Sequence, residues 1–188
     1  RKAHVIARDV ALKMKKNNLS GTTGTKIKPV CIHNHLILGL QKPPIWPIKD
    51  NDQLKELWSQ MKMSKSLPKS AVFIHDSPKE IKEKINSAFC PEGNVIFNPI
   101  LDWVKFIIFR EKGAHFLIER PTKFGGDLEF FNYQDLEEAF QNKKIHPLDL
   151  KNSVSNRIID ILKPARDHFE KPKIKKMKQE LEDLMITR

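Results

Sequence analysis

Five consecutive residues carry the densest chemistry in this sequence: Lys62-Met63-Ser64-Lys65-Ser66. Two ammonium groups three positions apart, on a loop of small residues, suit a polyphosphate. Lysine is a compact point charge for phosphate, and the serine hydroxyls with nearby backbone N–H groups add hydrogen bonds. When an adenylate forms, negative charge builds on the departing pyrophosphate. Lysines placed to meet that charge stabilise the transition state more than the ground state. A loop of this kind can also close over ATP as a gate. A Lys-x-x-Lys pair alone is equally at home in a solvated basic loop, so the specificity lies in the whole pentapeptide.

A second cluster invites a metal reading. In Cys31-Ile32-His33-Asn34-His35, positions 31, 33 and 35 would face one way on a strand, and three such ligands could hold zinc. Spacing supplies no fourth ligand, so no metal site is expected. Residues 171–178 hold five lysines in eight positions. Such a run either neutralises phosphates or forms a solvated helix face.

These residues need elements to position them. Val5, Ile6, Val10 and Met14 stand at helical spacing, and residues 17–25 read as a polar loop. Residues 29–33 look like a short, largely buried strand. Residues 36–40 follow it and close at Gly39, and the three prolines in 42–48 make an ordered turn. A helix from about Asp52 to Met61 would send Leu54, Leu57 and Trp58 inward and deliver the chain to the Lys62 loop. A strand at residues 71–74 comes next. Asp76-Ser77-Pro78-Lys79-Glu80 then reads as a helix start, with a capping side chain, a proline in the first turn and an acid near the positive end of the dipole. Asn98-Pro99 opens another helix, with Ile100, Trp103, Val104 and Ile107 as its stripe. Two short strands are expected at 115–119 and 128–131, around the turn at Gly125-Gly126. Helices are expected at 134–142 and 148–162, the second stopped or kinked by Pro164, and an amphipathic tail helix carries Ile174, Met177, Leu181 and Leu184. The pattern changes near residue 77, from mixed α/β to mainly helical.

The chain has 188 residues, 39% of them apolar and 30% charged, with a net charge of +11. That apolar share can build a core and excludes a disordered chain. The basic excess favours a polyanionic partner such as nucleic acid, or an anionic membrane surface. No apolar run reaches the roughly 18–20 residues of a membrane span, and no signal peptide is visible. Two cysteines give no disulfide framework, so a reducing, cytoplasmic setting is expected. The sequence begins at Arg1, which reads as a processed, cut or partial product.

The pentapeptide is similar to the second signature of class I aminoacyl-tRNA synthetases. Further segments narrow this. Arg1-Lys2-Ala3-His4, the run from Ser70 to Pro78, Lys123-Phe124-Gly125-Gly126-Asp127 and His146-Pro147-Leu148-Asp149-Leu150-Lys151-Asn152 resemble the archaeal-type tyrosyl-tRNA synthetases, in register from Arg1 to about Glu170. The resemblance implies an α/β fold class. Residues 1–76 would be the C-terminal part of a Rossmann-type parallel-sheet catalytic domain, and residues 77–188 a mainly α-helical anticodon-binding domain with a basic tail. It implies ATP with Mg2+, held through Lys62, Met63, Ser64, Lys65 and Ser66, with Lys62 and Lys65 catalytic. It implies tyrosine and tRNA(Tyr) as partners. Phe124 would stack on the first anticodon base, and His146, Pro147 and Asp149 would hold it, a carboxylate being able to accept two donors from guanine. The residues alone also allow Phe124 as a turn-anchoring aromatic and His146-Pro147 as an ordinary helix entry. Arg1 and Lys2 would meet the acceptor stem, and His4 would lie near the amino-acid pocket. His33 or His35 could face the nucleotide, with Cys31 packed. The family is usually a symmetric dimer. Its His-x-Gly-His-type signature and most of its tyrosine pocket would precede Arg1, so activity is expected to need an N-terminal half, fused or separate. A non-catalytic tRNA-binding fragment and the tryptophan enzyme are the rival readings.

Overall fold

Side-chain caps decide where the helices of this chain start. A computed structural model describes residues 2–13, 29–32, 34–48, 54, 57–58, 60–110 and 113–184. Helix α2 (Pro78–Asn86) begins at Ser77, whose hydroxyl accepts from the Glu80 N–H while the Glu80 carboxylate accepts from the Ser77 N–H at 2.7 Å. This reciprocal box satisfies two backbone donors that a helix start leaves open. Helix α3 (Pro99–Phe106) begins at buried Asn98, whose Oδ1 accepts from the N–H groups of Ile100 and Leu101. Helix α4 (Tyr133–Gln141) is capped by Asn132 and α5 (Pro147–Phe169) by His146. Helix α6 (Pro172–Glu182) carries the lysine run. Proline stands in the first turn of α2, α3, α5 and α6, where its missing N–H costs nothing.

The chain divides into two units, Arg1–His35 and Leu36–Arg188. The first contains α1 (Lys2–Lys13), whose Val5, Ile6 and Val10 are exposed. In the second, α2, α3, α4 and α5 enclose one core built from Ile81, Ile85, Ile100, Val104, Leu136, Phe140, Leu150 and Val154. A hairpin of β1 (Phe116–Ile118) and β2 (Leu128–Phe130) closes that core, antiparallel, with Leu117 opposite Glu129. A smaller cluster joins Leu38, Leu57, Met61 and Phe97.

The two strands expected on apolar runs do not form. Residues 29–32 have no strand structure, and Val30 is 90% and Ile32 78% exposed. Residues 71–73 are likewise irregular, and residue 74 begins a turn. A strand buried on both faces needs neighbours to complete its ladder, and among the described residues none lies beside either run. The sheet there is one antiparallel pair and the unit is helix-rich. The 134–142 and 148–162 helices form with shifted ends, at Tyr133–Gln141 and Pro147–Phe169. Pro164 does not stop the second. The Arg166 guanidinium reaches back to the Ile159 carbonyl; the carbonyl that loses its helical donor to the proline is that of Asp160. In the 52–61 region, Leu54, Leu57, Trp58 and Gln60 are helical. Met14, the loop at 17–25 and the start of the 52–61 helix lie outside the described residues.

Residues 38–40 form a strap with no regular ladder, yet all three of its amides are engaged. The Leu38 N–H donates to Asp102 Oδ2 at 2.9 Å, and its carbonyl accepts from the Trp103 indole at 2.8 Å. Gly39 donates to the Met61 carbonyl, Leu40 donates to that of Ser70, and the Leu40 carbonyl accepts from Phe89. A Cβ at Gly39 would sit 3.0 Å from the Met61 carbonyl oxygen and would also crowd the Gln41 side chain, so the bare glycine lets the strap lie closely against the base of the Lys62 loop.

Candidate functional site

The Lys62 loop is a tight turn anchored from below. Lys62 bridges antiparallel to Leu38, and Met63 packs against the main core. Buried Ser70 accepts the Ser64 N–H on its hydroxyl at 3.1 Å, the Leu67 N–H closes onto the Ser64 carbonyl, and the hydroxyls of Ser64 and Ser66 lie 3.1 Å apart. Lys62 and Lys65 are exposed. The loop therefore offers two cations and two hydroxyls to an anion. The Ser64 N–H is already taken by Ser70, so the backbone contribution expected at that position is not open in this conformation. The residue types fit a polyphosphate: cations and hydroxyls, with no carboxylate in the pentapeptide.

The other predicted residues meet at a second place. Phe124, His146 and Asp149 line one cleft of about 570 Å³, together with Glu92, Arg120, Lys143, Lys144 and Leu148. Phe124 ends a 3-10 turn, Thr122–Phe124, that stops at Gly125 in the left-handed region, φ 99°. Its ring is 61% exposed, with the Lys123 ammonium 4.9 Å from the centroid. A turn-anchoring core aromatic would be buried, so that reading falls. His146 Nδ1 accepts from the Leu148 N–H at 3.2 Å. The neutral ring then carries its proton on Nε2, which stays a donor. Pro147 fixes the first turn of α5, and Asp149 is half-buried in that turn, where a negative charge meets the positive end of the helix.

Arg120 holds the two arms of this cleft in register. Its Nε donates to the Gly126 carbonyl at 2.8 Å, on the Phe124 arm, and its Nη1 donates to the Lys144 carbonyl at 2.7 Å, on the His146 arm. Its own backbone N–H donates to Asp127 Oδ1 at 2.9 Å. A planar fork spans both carbonyls at once, which a single ammonium cannot do. Sequence reasoning missed Arg120 because its partners are main-chain carbonyls, which no residue type advertises. It also missed Glu92, Lys143 and Lys144. Lys143 sits at φ 57°, where α4 ends with the Lys143 N–H on the Phe140 carbonyl and the Lys144 N–H on that of Ala139. This paired ending normally takes glycine. A side chain there costs about 1 kcal/mol.

The remaining candidates belong to the first unit or cannot be described. His4 lies in α1, and its carbonyl is 4.0 Å from Cys31 Sγ. Arg1, the Lys2 side chain and His33 lie outside the described residues. Among the described residues no three His, Cys, Asp or Glu side chains gather as a metal site, and no helix is long and apolar enough to cross a membrane. Burial pushes the Cys90 thiol up, as befits a packed and unreactive cysteine.

Comparison with known proteins adds the following. Residues 2–163 match the family model described as tRNA synthetases class I (W and Y). The tyrosine–tRNA ligase of Thermococcus kodakarensis is 57% identical over 171 residues, 91% of this chain and 45% of that protein. A tyrosyl-tRNA synthetase structure from Pyrococcus horikoshii, complexed with L-tyrosine, superposes with a TM-score of 0.84 at 53% identity, over 90% of this chain and 46% of that one. The Aeropyrum pernix tyrosyl-tRNA synthetase does so with 0.71 at 34% identity, over 98% and 46%. The chain thus spans a little under half the length of these relatives.

Proposed function

Because the chain belongs to the class I tRNA synthetases for tryptophan and tyrosine, we propose that it is the portion of a tyrosine–tRNA ligase that carries the ATP-phosphate loop and the anticodon reader. The observation that carries this reading is the single cleft lined by Phe124, His146 and Asp149. An exposed ring, a donor nitrogen and a carboxylate together suit one unpaired base: stacking on its face and hydrogen bonds to its edge. The basic Lys143 and Lys144 beside them suit the flanking phosphates, with Arg120 tying the walls together. In the complete enzyme, ATP and tyrosine give tyrosyl-adenylate and pyrophosphate, and a 3′-terminal ribose hydroxyl of tRNA(Tyr) then displaces AMP. Lys62 and Lys65 stabilise the charge that accumulates on the leaving phosphates. Ser64 and Ser66 shape the loop, and Mg2+ enters with the nucleotide.

In this reading residues 1–76 close a Rossmann-type sheet and residues 77–188 form the anticodon-binding domain. Arg1 and Lys2 face the acceptor stem and His4 lies by the amino-acid pocket. The exposed Val5, Ile6, Val10, Val30 and Ile32 support an N-terminal half that covers them, in the same polypeptide or a separate one. We infer a homodimer once that half is present, working in the cytoplasm. The tyrosine specificity of the named relatives favours tyrosine over tryptophan.

The test is aminoacylation of tRNA(Tyr) and tRNA(Trp) by this chain supplied with the preceding catalytic segment. Charging of tRNA(Tyr) with tyrosine is expected. Charging of tRNA(Trp) with tryptophan would assign the relative, and tRNA binding without any charging would assign a non-catalytic fragment.

A further inference from the structure

Lys143 is the one lysine on the cleft that the fold holds at a backbone geometry favouring glycine. Its stem is packed as well. A Cβ on Gly93, itself at φ 67°, would come within 3.3 Å of Lys143 Cγ and Cε, so the bare glycine leaves the track along which the stem lies. Neither its ammonium nor that of Lys144 has a hydrogen bond or ion pair among the described residues. Arg120, by contrast, spends its guanidinium on two carbonyls of the protein. The cleft thus holds two kinds of cation: one tied into the walls, the other aligned by packing and unpaired. A helix ending built like this one gains stability from glycine, so the fold itself gives no reason for a lysine whose stem lies over Gly93.

We propose that Lys143 binds an RNA backbone phosphate next to the base held by Phe124 and Asp149, so that it contributes affinity without reading sequence. The inference rests on the assignment of this cleft to an anticodon base. Phosphate contacts position a nucleic acid, whereas base-edge contacts specify it. An ammonium contacting a backbone phosphate releases condensed counterion, so its removal leaves a defined mark on the salt dependence of binding.

The experiment titrates the 188-residue chain with a short RNA stem-loop whose loop carries the tyrosine anticodon, at a series of salt concentrations. A second stem-loop has adenine in place of the first anticodon guanine. Lys143→Gly is expected to weaken binding about fivefold at low salt. It should flatten the slope of log affinity against log salt by about 0.7, leave the guanine-to-adenine preference unchanged and raise Tm. Lys143→Gln should reproduce the flattened slope without the rise in Tm, which separates charge from backbone relief. An unchanged slope in both variants, or a loss confined to the guanine preference, overturns the proposal. Phe124→Ala is the control for the cleft itself. If it weakens binding while the Lys143 variants do not, the phosphate contact is wrong and the cleft assignment stands. If Phe124→Ala binds like the unsubstituted chain, the cleft assignment fails, and the proposal that rests on it falls too.

Discussion

In the proposed reading Phe124 and Asp149 have separable duties in the cleft, and substitution should separate them. Phe124 offers area: a base stacked on an aromatic plane is worth about 1–3 kcal/mol. Phe124→Ala should therefore weaken stem-loop binding by roughly that amount for guanine and adenine alike, read by fluorescence titration. Asp149 offers selectivity. Asp149→Asn replaces one acceptor oxygen by a donor, so it should erase much of the preference for guanine, by about 1–3 kcal/mol, while adenine binding changes little. Equal losses on both loops would place Asp149 in the structure of the helix entry and not on a base. His146 is at once the N-cap of α5 and a wall of the cleft. Its truncation mixes lost stability with lost binding, which makes it the least informative of the three positions.

Elements position these residues, and their stability has local, testable sources. Ser77→Ala should cost about 1 kcal/mol of unfolding free energy, as the loss of a capping box does. The same box makes stability depend on pH. The Ser77 hydroxyl and N–H hold the Glu80 carboxyl below its ordinary value of 4.5. A carboxyl depressed in the folded state contributes its stability above the unfolded value and loses it as pH falls through the folded one. Acid denaturation below pH 4.5 should therefore be blunted in Glu80→Gln. Arg120→Lys keeps a charge and loses the fork, so about tenfold weaker stem-loop binding is expected with an unaltered near-UV spectrum. Tight binding by this variant would show that the two arms need no tie. The caps at Ser77 and Asn98, and the stripe of Ile100, Trp103 and Val104, were legible in the sequence because local hydrogen-bonding chemistry and a 3.6 period write them there. Residues 29–33 and 71–74 misled because a short apolar run has no period to distinguish a strand from a loop. Phe124 and the His146–Asp149 segment were found by resemblance, which set them on one base, and the fold lines one cleft with them. Lys143 and Arg120 stayed hidden because a left-handed backbone at lysine, and a side chain serving carbonyls, leave no trace in composition.

At the scale of the molecule, the second unit encloses a helical core, and the first carries exposed apolar residues on α1 and at positions 30 and 32. We expect no tyrosine-dependent ATP–pyrophosphate exchange from it alone, and exchange once the preceding catalytic segment is supplied. Exchange by the 188-residue chain unaided would sink the view that it carries one side of the site. In the complemented enzyme, replacing Lys62 or Lys65 by alanine should lower kcat about a hundredfold, the scale of one lost contact to developing charge, with little change in stem-loop binding. The strap at residues 38–40 adds a consequence of another kind. Its amides are locked to the loop base, to Ser70 and to α3, although they belong to no helix or strand. Opening them requires opening the core. In deuterated water, the amides of Leu38, Gly39 and Leu40 should therefore take up label as slowly as those of α3, while Lys65 and Ser66, a few ångströms of chain beyond the anchor, exchange early. The boundary between slow and fast label would mark, residue by residue, how much of the loop is free to move when a nucleotide arrives.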